Sequence, residues 1–147
     1  MEYCLRWGVM NLYTTSIFGI MHENEISKIV IDAALEVHRA MGPGMLEAVY
    51  EEALAYELSQ VRGLQVERQR SFPVIYKGVR LAIGYRADLI VEGKVIIELK
   101  SVEMVLDVHK KTLLTYLMLT HLRLGLLINF NNVLLKNGIT RIVNGLQ

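Results

Sequence analysis

The stretch YRADLIVEGKVIIELKSV, residues 85–102, sets two short apolar runs around Glu92-Gly93-Lys94 and places Asp88, Glu98 and Lys100 where hydrophobic side chains would be the easy choice. Alternation along a strand sends Glu98 and Lys100 to one face. If the loop holds an odd number of residues, such as three with Gly93 in the left-handed region, residues paired across it have numbers summing to an even value. Asp88 then shares the face of Glu98 and Lys100. A two-residue loop would send Asp88 to the opposite face, so the odd loop is the expectation.

Two carboxylates within a few ångströms raise each other's pKa and are costly to bury without a counter-charge. A hard divalent cation resolves that conflict. Oxygen-only ligation suits Mg²⁺ (or Mn²⁺) better than zinc, which calls for His and Cys that the stretch lacks. Lys100 is placed to orient water and to stabilise charge on a phosphoryl oxygen. An aspartate followed by Glu-x-Lys is thus a minimal kit for hydrolysing a phosphodiester. The plainer reading of Glu98 and Lys100 is a cross-strand ion-pair pattern on a solvated strand face.

The chain has 147 residues, enough for one domain with a real core. Hydrophobic residues make up 52% and charged residues 21%, a globular composition. A net charge of +1 and a pI near 7.9 exclude nucleic-acid binding by bulk electrostatics, so such binding must use a local patch. The single cysteine, Cys4, excludes an intramolecular disulfide and points to a reducing, cytoplasmic compartment. Residues 1–20 match no later pattern and lack the regions of a signal peptide. The division expected is therefore an N-terminal extension, 1–22, followed by one domain, 23–147.

Apolar positions Ile26, Ile29, Val30, Ala33, Ala34, Val37 and Met41 recur at helical spacing between Glu25 and Met41, with Asn24 as cap. His38, at the margin of that face, reads as a structural hydrogen-bonding residue. Gly42-Pro43-Gly44 ends the helix. A second helix is expected from about Met45 to Arg62, burying Leu46, Val49, Ala53, Leu54 and Leu58. Glu47, in its first turn, reads either as an acid compensating the helix dipole or as a third carboxylate brought to a metal.

A meander of antiparallel hairpins should follow: Leu64–Ser71, Pro73–Tyr76, Val79–Ile83, Tyr85–Val91 and Val95–Val102. Arg68, Arg70, Lys77, Arg80 and Arg86 are scattered through it, as phosphate contacts or as ordinary solvated charges. A third helix, Asp107–Thr120, opens with His109, Lys110 and Lys111, of which Lys110 is a candidate phosphate contact. Thr112 and Tyr116 share one of its faces. Gly125–Phe130 reads as a buried strand, and Asn137-Gly138 as a hairpin turn inside Leu134–Val143. The apolar region Leu113–Phe130 is broken by His121, Arg123 and Gly125, so no membrane span is expected.

Gly44-Met45-Leu46-Glu47-Ala48-Val49-Tyr50 reads GxxExxY, preceded by VHRAMGP and followed by YEEALAYEL, by YRADLIVEGKVIIELKSV, by GLLINF and by GITRIVN. In order and spacing these blocks resemble the GxxExxY proteins, a family within the PD-(D/E)xK nuclease superfamily, over about Glu23 to Asn144. The resemblance implies an α/β restriction-endonuclease-like core in the order αβββαβ, a mixed sheet flanked by helices. It also implies a Mg²⁺- or Mn²⁺-dependent nuclease acting on DNA, or alternatively RNA. The implied metal ligands are Asp88, Glu98 and Glu47, with Lys100 completing the catalytic set. Tyr50 would hold helix and sheet together or orient Glu47.

One departure stands out. The family's third helix usually carries a glutamine one turn before a tyrosine, and the matching pair here is Thr112 and Tyr116. Threonine cannot supply the amide's two donors. The rival reading is accordingly a nucleic-acid-binding or assembly module of the same fold with weak or absent turnover. By analogy with relatives that cut two strands, a homodimer is a further expectation.

Overall fold

A computed structural model describes residues 20–146. The N-terminal expectations, Cys4 among them, fall almost entirely outside those residues. Helix α1 spans Glu23–Met41 and α2 spans Glu47–Tyr56, continuing into a wider π-helical turn, Glu57–Val61. Strands β1 (Val66–Phe72), β2 (Ile75–Tyr76), β3 (Val79–Arg80), β4 (Tyr85–Val91) and β5 (Val95–Lys100) follow. Helix α3 is Asp107–Thr120, β6 is Leu124–Asn129, a 3-10 turn covers Leu135–Gly138, and β7 is Ile139–Val143.

The main sheet has the order β1-β4-β5-β6-β7. Its pairs are antiparallel except β5 with β6, which α3 joins as a parallel crossover. Leu89, Val95, Ile97, Leu99, Leu126 and Ile128 pack on one face against α1 and α2. Ile90, Ile96 and Leu127 pack on the other against Leu113, Tyr116 and Leu117 of α3. β6 is buried along its whole length, as its composition predicts for a strand covered on both faces. From α2 onward, with β2 and β3 as an insertion, this is the αβββαβ order of a restriction-endonuclease-like fold, a five-stranded mixed sheet flanked by helices.

The helix ends differ from expectation in informative ways. α1 is capped by His22, whose Nδ1 accepts from the Asn24 N–H at 3.2 Å while Glu25 accepts from the His22 N–H at 2.8 Å. Asn24 is not the cap, because the helix starts earlier: Glu23 is held in its first turn by Arg123, at 2.9 Å. α2 buries Tyr50, Leu54 and, in the π turn, Leu58, but Leu46 is 75% exposed and Val49 is exposed too. Tyr50 decides that orientation. Its ring stacks on Phe130 at 4.4 Å, and its hydroxyl donates to the Gly42 carbonyl and accepts from the Met45 N–H. Burying this large ring turns the Leu46 and Val49 side of the helix outward.

The strands also depart from a continuous meander. β1 pairs with β4, while β2 and β3 form a separate two-stranded ribbon instead of continuing a meander, and the strand expected over Val79–Ile83 shrinks to Val79–Arg80. Pro73 has no N–H to donate to a ladder. A Cβ on Gly84 would lie 2.3 Å from the Phe72 carbonyl oxygen, so the chain pinches there only with glycine. Asn137-Gly138 is no hairpin turn: it ends the 3-10 turn, and Gly138 does not take a positive φ. What requires glycine is contact, since a Cβ would meet the Asn129 carbonyl oxygen at 2.5 Å.

Candidate active site

The β4–β5 loop has three residues, with Val91 opposite Val95, so paired numbers sum to an even value as the spacing predicts. Glu92 and Gly93 take left-handed φ values of 52° and 63°. Asp88 and Glu98 therefore come opposite each other. Regular pairing runs back only to Leu89 and Ile97, and there the two strands part.

The carboxylates fill that fork. The Asp88 N–H donates to Glu98 Oε1 at 3.1 Å, and the Leu99 N–H donates to Asp88 Oδ2 at 2.9 Å. Each acid thus satisfies a backbone donor that the ladder would otherwise have taken. Simple alternation is also interrupted, because Ala87 joins Ile90 and Ile96 in the cluster under α3. Asp88 and Glu98 meet between the strands, not as two side chains standing on a flat face.

The fork is electrostatically strained. Burial, and after it the neighbouring Asp88 carboxylate, pushes the Glu98 carboxyl from an ordinary 4.5 up to about 8, against the pull of the Asp88 N–H and the Lys100 ammonium. Tyr116 senses the same place: burial raises its phenol, and Glu98 and Asp88 add to the shift. Its ring meets Tyr85 edge-on at 5.4 Å.

The other expected site residues divide. Glu47 lies 3.9 Å from Lys100 Nζ, across the junction of α2 and β5, and is about half-exposed. It does not join Asp88 and Glu98 in one cluster, and among the described residues no three His, Cys, Asp or Glu side chains converge. Tyr50 pins the Gly42–Met45 turn that leads into Glu47. Thr112 turns its hydroxyl back to the Val108 carbonyl at 2.8 Å, and Lys110 is exposed. His109 is occupied in capping α3, its Nδ1 accepting from the Leu106 N–H at 3.0 Å. His38 makes the structural bond expected of it, Nε2 to the Asn132 carbonyl at 2.8 Å.

Two residues beside the fork have no signal in periodicity. Gln69 interrupts β1 opposite Asp88 with a φ of 52°, a conformation that costs a residue with a Cβ about 1 kcal/mol. Its amide donates to Glu51 of α2 and reaches Asp88 Oδ1 at 3.5 Å. Its own carbonyl oxygen is buried and has no hydrogen-bond partner. Glu51, 8% exposed, is held from the other side by Arg68 at 3.3 Å. A polar residue in left-handed backbone inside a strand can be recognised only once φ is known.

Residues 24–142 match the sequence pattern of the PD-(D/E)XK nuclease superfamily. Nucleases of that superfamily generally use divalent metals. A solved structure described as the crystal structure of SSO0001 aligns at 22% identity with a TM-score of 0.49, over 69% of this chain and 52% of that one. The chain thus spans about half the length of that structure. No curated protein matches it.

Proposed function

The chain belongs to the PD-(D/E)XK nuclease superfamily, and on that premise we propose that it is a divalent-metal-dependent phosphodiester hydrolase of the GxxExxY group acting on nucleic acid, DNA in the first place. The observation that carries this reading is the fork: two carboxylates opposed where a hairpin parts, one of them buried and pushed up to about 8, with an ammonium two residues further on. A fold with no use for the pair would continue the ladder with apolar residues.

The donors are all oxygens, and their mutual repulsion is what a hard cation relieves, so the set fits Mg²⁺ or Mn²⁺. Asp88 and Glu98 would hold the ion. When bound, it supplies neutralisation of phosphate charge and a lower pKa for the attacking water. Lys100 is placed to neutralise charge developing on the phosphoryl group. Glu47, beside Lys100, would fix that ammonium and reach the ion through water. Gln69, braced by Glu51, positions the Asp88 carboxylate. Tyr116 closes the side under α3.

We assign the activity to residues 23–147, with 1–22 as an extension, in a cytoplasmic protein, and we expect two copies to act together on two strands. No helix among the described residues is long and apolar enough to cross a membrane. The test is cleavage of labelled single-stranded, duplex and branched DNA and of RNA with Mg²⁺, Mn²⁺ or EDTA, beside Asp88→Asn. Asparagine keeps an acceptor for the Leu99 N–H, so its loss of cutting would report chemistry and not folding. Equal cutting by the two proteins would remove Asp88 from the mechanism.

A further inference from the structure

The residues from Arg68 to Ala87 include Arg68, Arg70, Lys77, Arg80 and Arg86 and no aspartate or glutamate, in a chain whose net charge is only +1. Two of the five cations are neutralised, Arg68 by Glu51 and Glu52 and Arg70 by Glu67. Lys77, Arg80 and Arg86 form no ion pair among the described residues. They belong to the β2–β3 ribbon and the strand it feeds, in a stretch that has no carboxylate of its own to offset them.

Three further observations describe that stretch. Its apolar side chains are not packed: Ile75, Tyr76, Val79 and Ile83 are between 58% and 82% exposed. The Lys77 ammonium sits 5.5 Å from the centre of the Tyr76 ring, giving a cation and a flat aromatic surface together. At the base, Arg80 and Arg86 line a cavity of about 420 Å³ with Ser71, Phe72, Tyr85 and the Gly84 backbone. The base is fixed in shape by the close approach of Gly84 to Phe72 and by the Leu81 N–H, which donates to the Val74 carbonyl at 2.9 Å. Arg86 is two residues from Asp88, so the cavity adjoins the fork.

We propose that the β2–β3 ribbon and its basal cavity form the nucleic-acid-gripping site, with Arg80 and Arg86 taking a backbone phosphate in the cavity, Lys77 a second phosphate, and Tyr76 stacking on a base. This rests on the nuclease reading for the identity of the ligand. Guanidinium pairs with no acidic partner suit phosphate oxygens, which accept two N–H donors in parallel. Exposed aromatic faces suit unpaired bases, which stack without regard to sequence. A strand held so would run from the ribbon past Arg86 to Asp88 and Glu98. An acidic protein partner would satisfy the cations but leave the ring of Tyr76 without a role.

The test separates binding from cleavage. Binding of a fluorescein-labelled 20-nucleotide DNA strand to the full chain is followed by anisotropy in EDTA, so that nothing is cut, across a salt series. Lys77→Gln/Arg80→Gln/Arg86→Gln should weaken binding at least tenfold and make the slope of log affinity against log salt shallower by about 1.4, at roughly 0.7 for each of the two phosphates on a single strand. Tyr76→Ala should cost roughly tenfold with an unchanged slope. Lys136→Gln, an exposed charge in the 3-10 turn, should change neither. Unaltered affinity in the triple variant, equal loss with Lys136→Gln, or no binding by the wild type would overturn the proposal. Binding that behaves as expected in a protein that cuts nothing would overturn the nuclease reading and leave this site standing.

Discussion

Replacing Glu98 by glutamine should abolish metal-dependent cleavage and, above neutral pH, make the metal-free protein more stable. The Glu98 carboxyl is raised in the folded state, from 4.5 to about 8, so the fold holds its proton more tightly than the unfolded chain does. Below about 4.5 both states are protonated and the stabilising contribution is complete. As the pH rises toward 8 the unfolded chain ionises first, and stability is lost until the folded carboxyl ionises as well. At 1.36 kcal/mol per tenfold change in proton affinity, the ceiling on this loss is ~5 kcal/mol, and solvent access at the mouth of the fork reduces it to a few. Glutamine keeps an acceptor for the Asp88 N–H and does not titrate. Urea unfolding in EDTA at pH 5, 6, 7 and 8 measures the difference. With a slope near 2 kcal/mol per molar, the wild-type midpoint should fall by roughly 1 to 2 M relative to Glu98→Gln across that range. Parallel midpoints for the two proteins would show that Glu98 is not raised, and the argument from charge conflict would fail.

Other variants separate the supporting residues. Gln69→Leu should lower Mn²⁺ affinity by roughly 10- to 100-fold, as does losing a group that orients a metal-binding carboxylate, with cleavage restored at saturating Mn²⁺. A loss of activity that excess metal does not restore would make Gln69 structural. Glu47→Gln should cost under about 0.5 kcal/mol of stability, because its pair with Lys100 is part-exposed, yet slow cleavage several-fold. Unchanged turnover would take Glu47 out of the site. Tyr50→Phe should destabilise by about 1 to 2 kcal/mol, read as a lower unfolding midpoint, since it strips partners from the Gly42 carbonyl and the Met45 N–H.

What could be read from the sequence was whatever a fixed period dictates. The parity of the β4–β5 loop follows from the two-residue repeat of a strand, and it placed Asp88 opposite Glu98. Helix α3 was legible to its ends because the apolar spacing of Leu113 and Leu117 agrees with the residues flanking it. The buried side of α2 was not legible, since Leu46 and Val49 carry the same hydrophobic signal as Leu54. Only the three-dimensional partner Phe130 decides that the Tyr50 side is covered. Nor could Gly84 and Gly138 be read correctly, because a glycine required by a neighbouring carbonyl looks the same in sequence as one required by a turn. The fork itself breaks the periodicity on which strand reading depends. There the left-handed Gln69, the interrupted ladder at Asp88 and the exchange of backbone donors between two carboxylates are all departures from regular geometry.

We propose that the fork between β4 and β5 is a divalent-cation site. Calorimetric titration of the full chain with Mn²⁺ at pH 7, in two buffers of different ionisation enthalpy, tests it without reference to any substrate. Binding should be saturable, should release protons as the raised Glu98 carboxyl gives up its own, and should be lost in both Asp88→Asn and Glu98→Gln. Saturable binding of equal strength in all three proteins, or none in the wild type, would contradict it.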